Sequence, residues 1–304
     1  MAIPRDPYRS VGLGNLGFLE DPFRWAPDPR FLYLSSQHRP IMNQLHRAIE
    51  SERCLAFIEG ERGVGKSVIA RRLESYYGAR PNEYRVSFIH QPNFDSYYST
   101  LLGLSKSFVL KRRKGIPNQR AELEKFLSAE IGMGKVVLFI LDDVGNQFNR
   151  EVFEELDWVS REYAPVVIFG GPEISKILHR IPDVLERTSR ATLLPFSLDD
   201  AVEFIEFRVM VAGRKTPMFA KDAIEYIWES TKGNPKDMVV VCGRAINELG
   251  ARDEDFVTMD IAEVAVESYL SSPLVAIEPV TEIIQSAASP EAETLEETPS
   301  NEYA

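Results

Sequence analysis

Short apolar runs alternate with amphipathic stretches through residues 36–198 of the chain. Five of these runs are apolar or β-branched, most bounded by glycine, proline or charge, and they lie at residues 54–59, 84–90, 136–141, 166–170 and 191–194. Such runs are typical of buried parallel strands, whereas the stretches between them have the spacing of helices with one apolar face. The pattern therefore predicts an α/β domain whose parallel sheet is covered by helices on both faces.

Three flanking stretches differ from this pattern. Residues 1–35 hold many prolines, glycines and aromatics and predict an extended arm, whereas residues 199–270 show helical periodicity without a strong strand. Residues 271–304 are rich in proline, serine, glutamate and alanine, a composition typical of disordered segments. We therefore expect an N-terminal arm, the α/β domain, a small all-α subdomain and an acidic tail.

Composition narrows the class of protein only slightly. The 304 residues, 44% of them hydrophobic, can bury a substantial core. No apolar run approaches the ~18 residues that cross a bilayer, and residues 1–10 lack the apolar stretch of a secretory signal. We expect a cytoplasmic protein without membrane insertion, in which Cys54 and Cys242 are buried thiols rather than a disulfide or a metal site.

The formal net charge is −11, but the charge is unevenly distributed. Residues 271–304 contain seven glutamates and neither lysine nor arginine, so the rest of the chain is only mildly acidic. Because local patches matter more than the total, this balance weighs only weakly against nucleic-acid binding.

The first predicted strand runs directly into the sequence GERGVGKS at residues 60–67, and an amphipathic helix follows. This is the phosphate-binding pattern G-x-x-x-x-G-K-[ST] in its strand–loop–helix context. Its glycines let backbone N–H groups approach phosphates, and the helix N-terminus adds partial positive charge. Lys66 would reach the β- and γ-phosphates and Ser67 would ligate Mg²⁺, so ATP and Mg²⁺ are the predicted cofactors. The predicted nucleotide-binding residues in this loop are Gly60, Glu61, Arg62, Gly63, Val64, Gly65, Lys66, Ser67 and Val68.

A second motif lies where the apolar run at 136–141 ends in two carboxylates, Asp142 and Asp143. A buried strand that ends in this way is the Walker B arrangement. Asp142 would hold Mg²⁺ through its water shell, and Asp143 would orient or deprotonate the attacking water. Alone, the pair also fits a capped helix start, but the P-loop upstream with one strand between favours the Walker B interpretation.

Several further stretches resemble the ExeA-like ATPases, an AAA+ family named for a component of the general secretion pathway. The resemblance extends to the ATPases of certain transposons that share its core, and it covers roughly residues 18–250. It is carried by LEDPF at 19–23, PDPRFLYLS at 27–35 followed by His38, VIFGGPEI at 167–174, LERTSR at 185–190 and GNPK at 233–236. The resemblance implies an AAA+ P-loop sheet of order 5-1-4-3-2 with a C-terminal helical lid.

The resemblance also implies a homo-oligomer with the nucleotide between neighbouring subunits. Arg187 or Arg190 would be the arginine finger that completes the next subunit's site, and would act with Lys66 and Asp143 in catalysis. Lys236 would be the sensor-2 cation that contacts the nucleotide from the lid. The alternatives are that both arginines are ordinary surface residues and that Lys236 only caps the start of a helix.

The chain departs from the family pattern at three positions. Asp143 stands where the family usually has glutamate, Gly171 where it has a polar sensor-1 glutamine, and Lys236 where it has arginine. Gly171 has no side chain to position a water, for which Asn146 is a candidate substitute, and lysine lacks the bidentate fork of arginine. Together these departures predict slow hydrolysis and tight retention of the nucleotide.

A basic run between the second and third predicted strands bears on the substrate. The candidate DNA contacts are Lys106, Lys111, Arg112, Arg113 and Lys114, with Arg120, Tyr97 and Tyr98 nearby. Such a run would track phosphates of double-stranded DNA. The alternative is a solvated helix end that stops at residues 115–117.

Three functions remain open at this stage. The first is a ring- or filament-forming ATPase that acts on DNA, as in transposition target selection or regulation. The second is an ATPase of secretion or of pilus and envelope assembly that acts on protein partners. The third is a nucleotide-dependent scaffold that barely hydrolyses ATP. The tail at 271–304, in which apolar anchors lie among the acids, is either a solvating terminus or a segment that binds a transposase or adaptor.

Overall fold

The computed structural model describes residue 13 and residues 16–24, 29–51, 53–252 and 254–271. The interpretations of the extreme N-terminus and of the acidic tail concern stretches that lie almost wholly outside these residues.

Five parallel strands form the sheet in the described part of the chain, in the order β2-β3-β4-β1-β5. The strands are β1 (Leu55–Gly60), β2 (Tyr84–His90), β3 (Val136–Val144), β4 (Val166–Gly170) and β5 (Thr188–Leu193). The predicted order 5-1-4-3-2 is confirmed, because it is the same sheet read from its other edge.

Eleven α-helices accompany the sheet in the described residues. They are α1 (His38–Glu50), α2 (Lys66–Gly78), α3 (Tyr97–Lys106), α4 (Ile116–Gly132), α5 (Arg150–Glu162), α6 (Pro172–Leu178), α7 (Pro182–Arg187), α8 (Leu198–Val211), α9 (Lys221–Thr231), α10 (Pro235–Arg252) and α11 (Met259–Ser271). A short 3-10 turn, Pro29–Phe31, precedes them. None of the helices in this part of the chain is both long and apolar enough to cross a bilayer.

The sheet is covered on both faces, which explains why its central strands are continuous apolar runs. Every residue of β4 is buried, and β3 is buried from Val137 to Asp142. One face packs against α1 and α2, and the other against α3 to α7. Cys54 and Cys242 are both free thiols; Cys242 is buried and Cys54 is partly buried.

Helices α8 to α11 form a separate helical bundle with its own apolar core, and the N-terminal arm packs into that core. We use "the arm" for described residues 16–24 and 29–37. Its apolar side chains Leu16, Phe18, Phe23 and Phe31 are buried in the core of the bundle. Arg208 of α8 is also buried and donates from Nε to the carbonyl oxygen of Pro22 at 2.7 Å. The arm is therefore integrated into the bundle rather than lying free.

Two local expectations are wrong. Residues 115–117 do not stop a helix: α3 ends at Lys106, the basic run lies in the following loop, and α4 begins at Ile116. Proline suits the first turn of a helix, where its missing N–H has no partner to lose. The fifth strand also begins earlier than predicted, so Arg190 lies within β5 and not before it.

Candidate nucleotide-binding site

The P-loop connects the end of β1 to the start of α2, and its glycines are required by its backbone. Gly63 and Gly65 have φ angles of +94° and +104°, in the left-handed region that favours glycine. A Cβ on Gly60 would lie only 2.8 Å from the carbonyl oxygen of Leu193. Glu61 and Arg62 are exposed at the surface of the loop. The loop therefore delivers the N-terminus of α2 to the carboxyl edge of the sheet.

Lys66 lies within the curve of this loop. Its Nζ donates hydrogen bonds to the carbonyl oxygens of Gly60 at 2.7 Å and Glu61 at 2.8 Å. Burial lowers the pKa of Lys66, and the carboxylates of Asp143 and Asp142 oppose that shift. The ammonium group is thus held beside the acidic end of β3, at the place where a phosphate chain along the loop needs a countercharge.

The two predicted magnesium ligands lie next to each other. Ser67 Oγ donates to Asp142 Oδ1 at 3.1 Å, and Asp142 is 1% exposed. No group of three or more histidine, cysteine or acidic side chains in the described residues suits a metal ion. Magnesium needs no such group, because it keeps several waters and takes one or two protein oxygens together with phosphate oxygens. The hydroxyl–carboxylate pair therefore fits Mg²⁺.

The end of β2 supplies two side chains that the sequence analysis missed. Gln91 Nε2 donates to Asp143 Oδ2 at 2.9 Å, and His90 Nδ1 lies 3.1 Å from Asp142 Oδ2. Asp143 and Gln91 both have positive φ angles, +54° and +48°. The predicted sheet order could have indicated these two side chains, because β2 and β3 are neighbours in it and the carboxyl ends of parallel strands meet at one edge of the sheet.

The polar group beside Gly171 comes from Glu173, which the sequence analysis also missed. Gly171 precedes α6, and a Cβ added to it would collide with the carboxylate of Glu173. Glu173 also contributes to the acidic field around Lys66. Asn146, the candidate substitute, is exposed in the turn after β3. The carboxylate of Glu173, two residues after Gly171, thus fills the volume that a sensor-1 side chain at position 171 would occupy.

Both candidate finger arginines are exposed, and each has a partner within the chain. Arg187 donates to the two carboxylate oxygens of Asp157, at 3.2 and 2.8 Å. Arg190 Nη1 lies 3.3 Å from Nε2 of His179. An arginine that acts on a neighbouring subunit would have to exchange these contacts for new ones.

The start of α10 docks on the P-loop. Asn234 Nδ2 donates to the carbonyl oxygen of Arg62 at 2.9 Å, and the Lys236 backbone N–H donates to Asn234 Oδ1 at 3.0 Å. A Cβ on Gly63 would collide with Asn234, so glycine also permits this close approach. The sequence analysis quoted Asn234 within a motif but gave it no role.

A cavity of about 180 Å³ lies between the arm, the P-loop and α10. Its walls are mainly aromatic and aliphatic, with the side chain of Lys236 at one side. The P-loop contributes Gly63, Val64, Gly65 and Val68, whereas Lys66 and Ser67 do not line it. The cavity therefore adjoins the P-loop backbone but not Lys66 and Ser67.

The candidate DNA contacts lie on the loop between α3 and α4, apart from Lys106, which is the last residue of α3. Arg113 pairs with Glu122 at 2.9 Å, and Lys106, Lys111, Arg112 and Lys114 are exposed. The neighbouring Arg120 points elsewhere, since it pairs with Glu155 at 2.5 Å and stacks over Trp158. Tyr97 donates to Glu154, and Tyr98 donates to the Arg113 carbonyl oxygen.

A P-loop after β1, paired carboxylates at the end of β3, and this sheet order with a helical bundle define a class of protein. The chain has the fold of the AAA+ P-loop ATPases. The family model described as "AAA domain" matches residues 49–178. General secretion pathway protein A of Aeromonas hydrophila is 26% identical over 246 residues, a match that covers 78% of this chain and 44% of that protein. These two matches confirm the resemblance to the ExeA-like AAA+ family, although the chain spans less than half the length of that relative.

Solved structures extend the likeness of fold. Drosophila ORC bound to DNA aligns with a TM-score of 0.63 at 19% identity, covering 89% of this chain and 69% of that one. Cdc6p from Pyrobaculum aerophilum aligns with a TM-score of 0.60 at 13% identity, covering 83% and 71%. The Aeropyrum pernix ORC1 protein in complex with DNA aligns with a TM-score of 0.58 at 14% identity, covering 81% and 68%. At such identities the likeness is one of fold alone.

Proposed function

We propose that the chain binds ATP with Mg²⁺ and hydrolyses it slowly, and that this cycle controls a homo-oligomeric ring or filament on double-stranded DNA. The observation that carries the nucleotide chemistry is the convergence of Lys66, Ser67 and Asp142 at one edge of the sheet. The proposal includes a division into an arm (1–35), an ATPase domain (36–198), a lid (199–270) and an acidic tail (271–304). The proposal also includes a cytoplasmic location for the protein.

Each group at the phosphate end has a role in this proposal. Magnesium, held by Ser67 and Asp142, would neutralise charge on the β- and γ-phosphates. Lys66 supplies a second countercharge, and Asp143 orients or deprotonates the attacking water. Gln91 already occupies one oxygen of Asp143, and Gly171 offers no side chain of its own, which supports slow turnover.

The homo-oligomeric part of the proposal gives the exposed arginines a role. Arg187 or Arg190 from a neighbour would stabilise charge that develops on the transferred phosphoryl group. Lys236, at the start of α10 beside the cavity, would contact the nucleotide from the lid. Because Arg187 is held by both oxygens of Asp157, oligomerisation would have to compete with that ion pair, which also supports slow turnover.

DNA is the preferred substrate because the basic run lies on an exposed loop rather than within a helix. Val109, at the tip of the same loop, is 92% exposed. Cationic side chains on a projecting loop can follow a phosphate backbone with little rearrangement. Structures of two proteins of similar fold have been determined with DNA bound, which supports DNA as the substrate. We further propose a role in transposition, in which a transposase or adaptor binds to residues 271–304.

The test measures ATP hydrolysis and particle size with and without duplex DNA. We expect DNA to raise the rate and to promote ATP-dependent assembly in the native chain. The double variant K111E/K114E should lose that stimulation, whereas K221E, a matched change at an exposed site on α9, should keep it. Raising the salt concentration should weaken DNA binding by the native chain more steeply than by K111E/K114E.

The second candidate is a protein-directed role in secretion or envelope assembly, favoured by the match to general secretion pathway protein A. If ATP drives assembly while DNA changes neither rate nor particle size, this candidate replaces the first. If neither hydrolysis nor assembly responds to any partner, a nucleotide-dependent scaffold is the better description.

A further inference from the structure

His38 is a buried side chain that the phosphate chemistry does not use. It is the first residue of α1 and is 2% exposed. The backbone N–H of Ser35 donates to its Nδ1 at 3.1 Å. Ser35 Oγ lies 2.6 Å from the same Nδ1. Because a backbone N–H only donates, we assign Nδ1 as the acceptor of both Ser35 groups and place the hydrogen of the neutral ring on Nε2. Burial lowers the pKa of His38 to about 4, so the ring is neutral near pH 7.

That Nε2 hydrogen has no acceptor among the described residues. The atom is buried and makes no hydrogen bond. His38 lines the cavity between the arm and α10, and its Nε2 is 3.1 Å from the position that a Cβ on Gly65 would take. Buried donors are normally paired, so an acceptor is expected to come from what the cavity holds.

The ring is fixed in this orientation by its neighbours in the chain. The Ser36 backbone N–H donates to Asp200 Oδ1 at 2.9 Å. The side-chain amide of Gln37 both accepts from the Leu194 N–H and donates to its carbonyl oxygen, each at 2.9 Å. The three consecutive residues before His38 are thus bonded to the ring itself, to the first turn of α8 and to the connection between β5 and α8.

The chemistry of the cavity indicates the kind of group that supplies the acceptor. Val64, Val68 and Phe204 give it aliphatic and aromatic walls, while Lys66 and Ser67 lie outside it. Arg208 and Lys236 also line it, but the Arg208 guanidinium donates to the carbonyl oxygens of Pro22 and Arg24. A phosphate would be poorly solvated against such walls. A flat heteroaromatic ring with an unprotonated nitrogen would bury its faces against them and accept a hydrogen bond from His38 Nε2.

We propose that His38 Nε2–H donates a hydrogen bond to a ring nitrogen of the adenine base and thereby contributes to the choice of nucleotide. The inference rests on the proposed function, since it assumes that the P-loop holds the triphosphate of ATP. It assigns His38 a specificity-determining role at the base end of the site, separate from the countercharge role of Lys66.

The test compares binding of ATP with that of its 1-deaza, 3-deaza and 7-deaza analogues by calorimetry on the full chain. In the native chain, the analogue that lacks the accepting nitrogen should bind about fivefold to tenfold more weakly than ATP. H38F keeps a ring but removes the donor, so it should weaken ATP binding by a similar factor and bind that analogue and ATP equally. H38Q, whose amide offers a donor near the position of Nε2, should recover part of the difference.

Inorganic triphosphate separates failure of this inference from failure of the proposed function. It should bind the native chain and H38F alike, which also shows that H38F is folded. If the native chain binds neither ATP nor triphosphate, the P-loop proposal fails. If both bind but all three deaza analogues match ATP, or if one stays weaker in H38F as well, His38 does not contact the base and the inference is overturned. The native-chain comparison stands even if H38F does not fold.

Discussion

The two ends of the candidate nucleotide site are built in different ways. The phosphate end takes most of its groups from one continuous stretch, residues 60–67, and adds the last residues of β3. The base end is a cavity assembled from the arm, the P-loop, α8 and α10, which are far apart in sequence. Phosphate binding needs backbone N–H groups and a cation at fixed local spacing, which a short motif can encode. A cavity wall needs only apolar surface at the right place, which many sequences can supply.

The largest effect should come from removing the cation at the phosphate end. K66A should weaken binding of both ATP and inorganic triphosphate by roughly 100-fold, because a charge-assisted contact to phosphate is lost. K125A, at an exposed position on α4, is the matched control and should bind both as the native chain does. Calorimetric titration measures the binding of both ligands to the native chain, K66A and K125A. Unchanged binding in K66A would contradict the P-loop assignment.

A smaller effect should come from the contact that joins the two ends. N234A removes the donor to the Arg62 carbonyl oxygen and the acceptor for the Lys236 N–H, so α10 is less firmly placed against the P-loop. We expect ATP to bind about fivefold more weakly and triphosphate to be nearly unaffected, from the loss of roughly 1 kcal/mol. N247A, exposed on the same helix, is the control. An equal loss for both ligands would mean that Asn234 serves the phosphate end.

The smallest effect is that of acidic pH on the free energy of unfolding, through His38 at the base end of the site. Because burial lowers the pKa of His38 from 6.5 to about 4, only the unfolded chain takes up this proton between those values. Stability therefore falls as the pH drops through that window, and His38 accounts for about 1 kcal/mol of the change in unfolding free energy between pH 6.5 and 5.5. The carboxylate of Asp200 opposes the shift, but burial outweighs it.

Urea unfolding at the two pH values measures this dependence. The pKa of His46 is lowered as well, so the difference between the native chain and H38F isolates the contribution of His38. H38F should lose about 1 kcal/mol of pH dependence, whereas H46F should leave the His38 part in place. Equal slopes in the native chain and H38F would show that the buried ring is not the source.

Much of the fold could be predicted because the central strands are covered on both faces. The edge strand at 84–90 was predicted to the residue even though Arg85 and Ser87 interrupt its apolar residues. The central strand at 166–170 was predicted to the residue because an unbroken apolar run has well-defined ends. β5 was predicted too short for the opposite reason. It pairs only with β1, and among residues 188–193 only Thr188 and Leu193 are buried. A search for apolar runs therefore finds only its last residues.

The candidate site could be predicted where its groups lie within a motif. Gln91 and Glu173 belong to no such motif, and each reaches the acidic edge only because a strand or a helix ends there. His38 was noticed as part of a resemblance, but its role depends on burial and on the hydrogen bonds of Ser35, neither of which can be read from spacing. The helix start at Ile116 was misread because proline marks both the ends and the first turns of helices.

The burial of the arm within the bundle has a consequence for how the chain is made. Phe23 and Phe31 are synthesised early, but the last of the helices that cover them, α11, is completed about 240 residues after Phe31, roughly 10–50 s later at ribosomal speed. During that interval the sheet can close on its own two cores, while the aromatic side chains of the arm stay uncovered. The nucleotide cavity is likewise completed only after the start of α10 has been synthesised, because Pro235, Lys236 and Val239 line it.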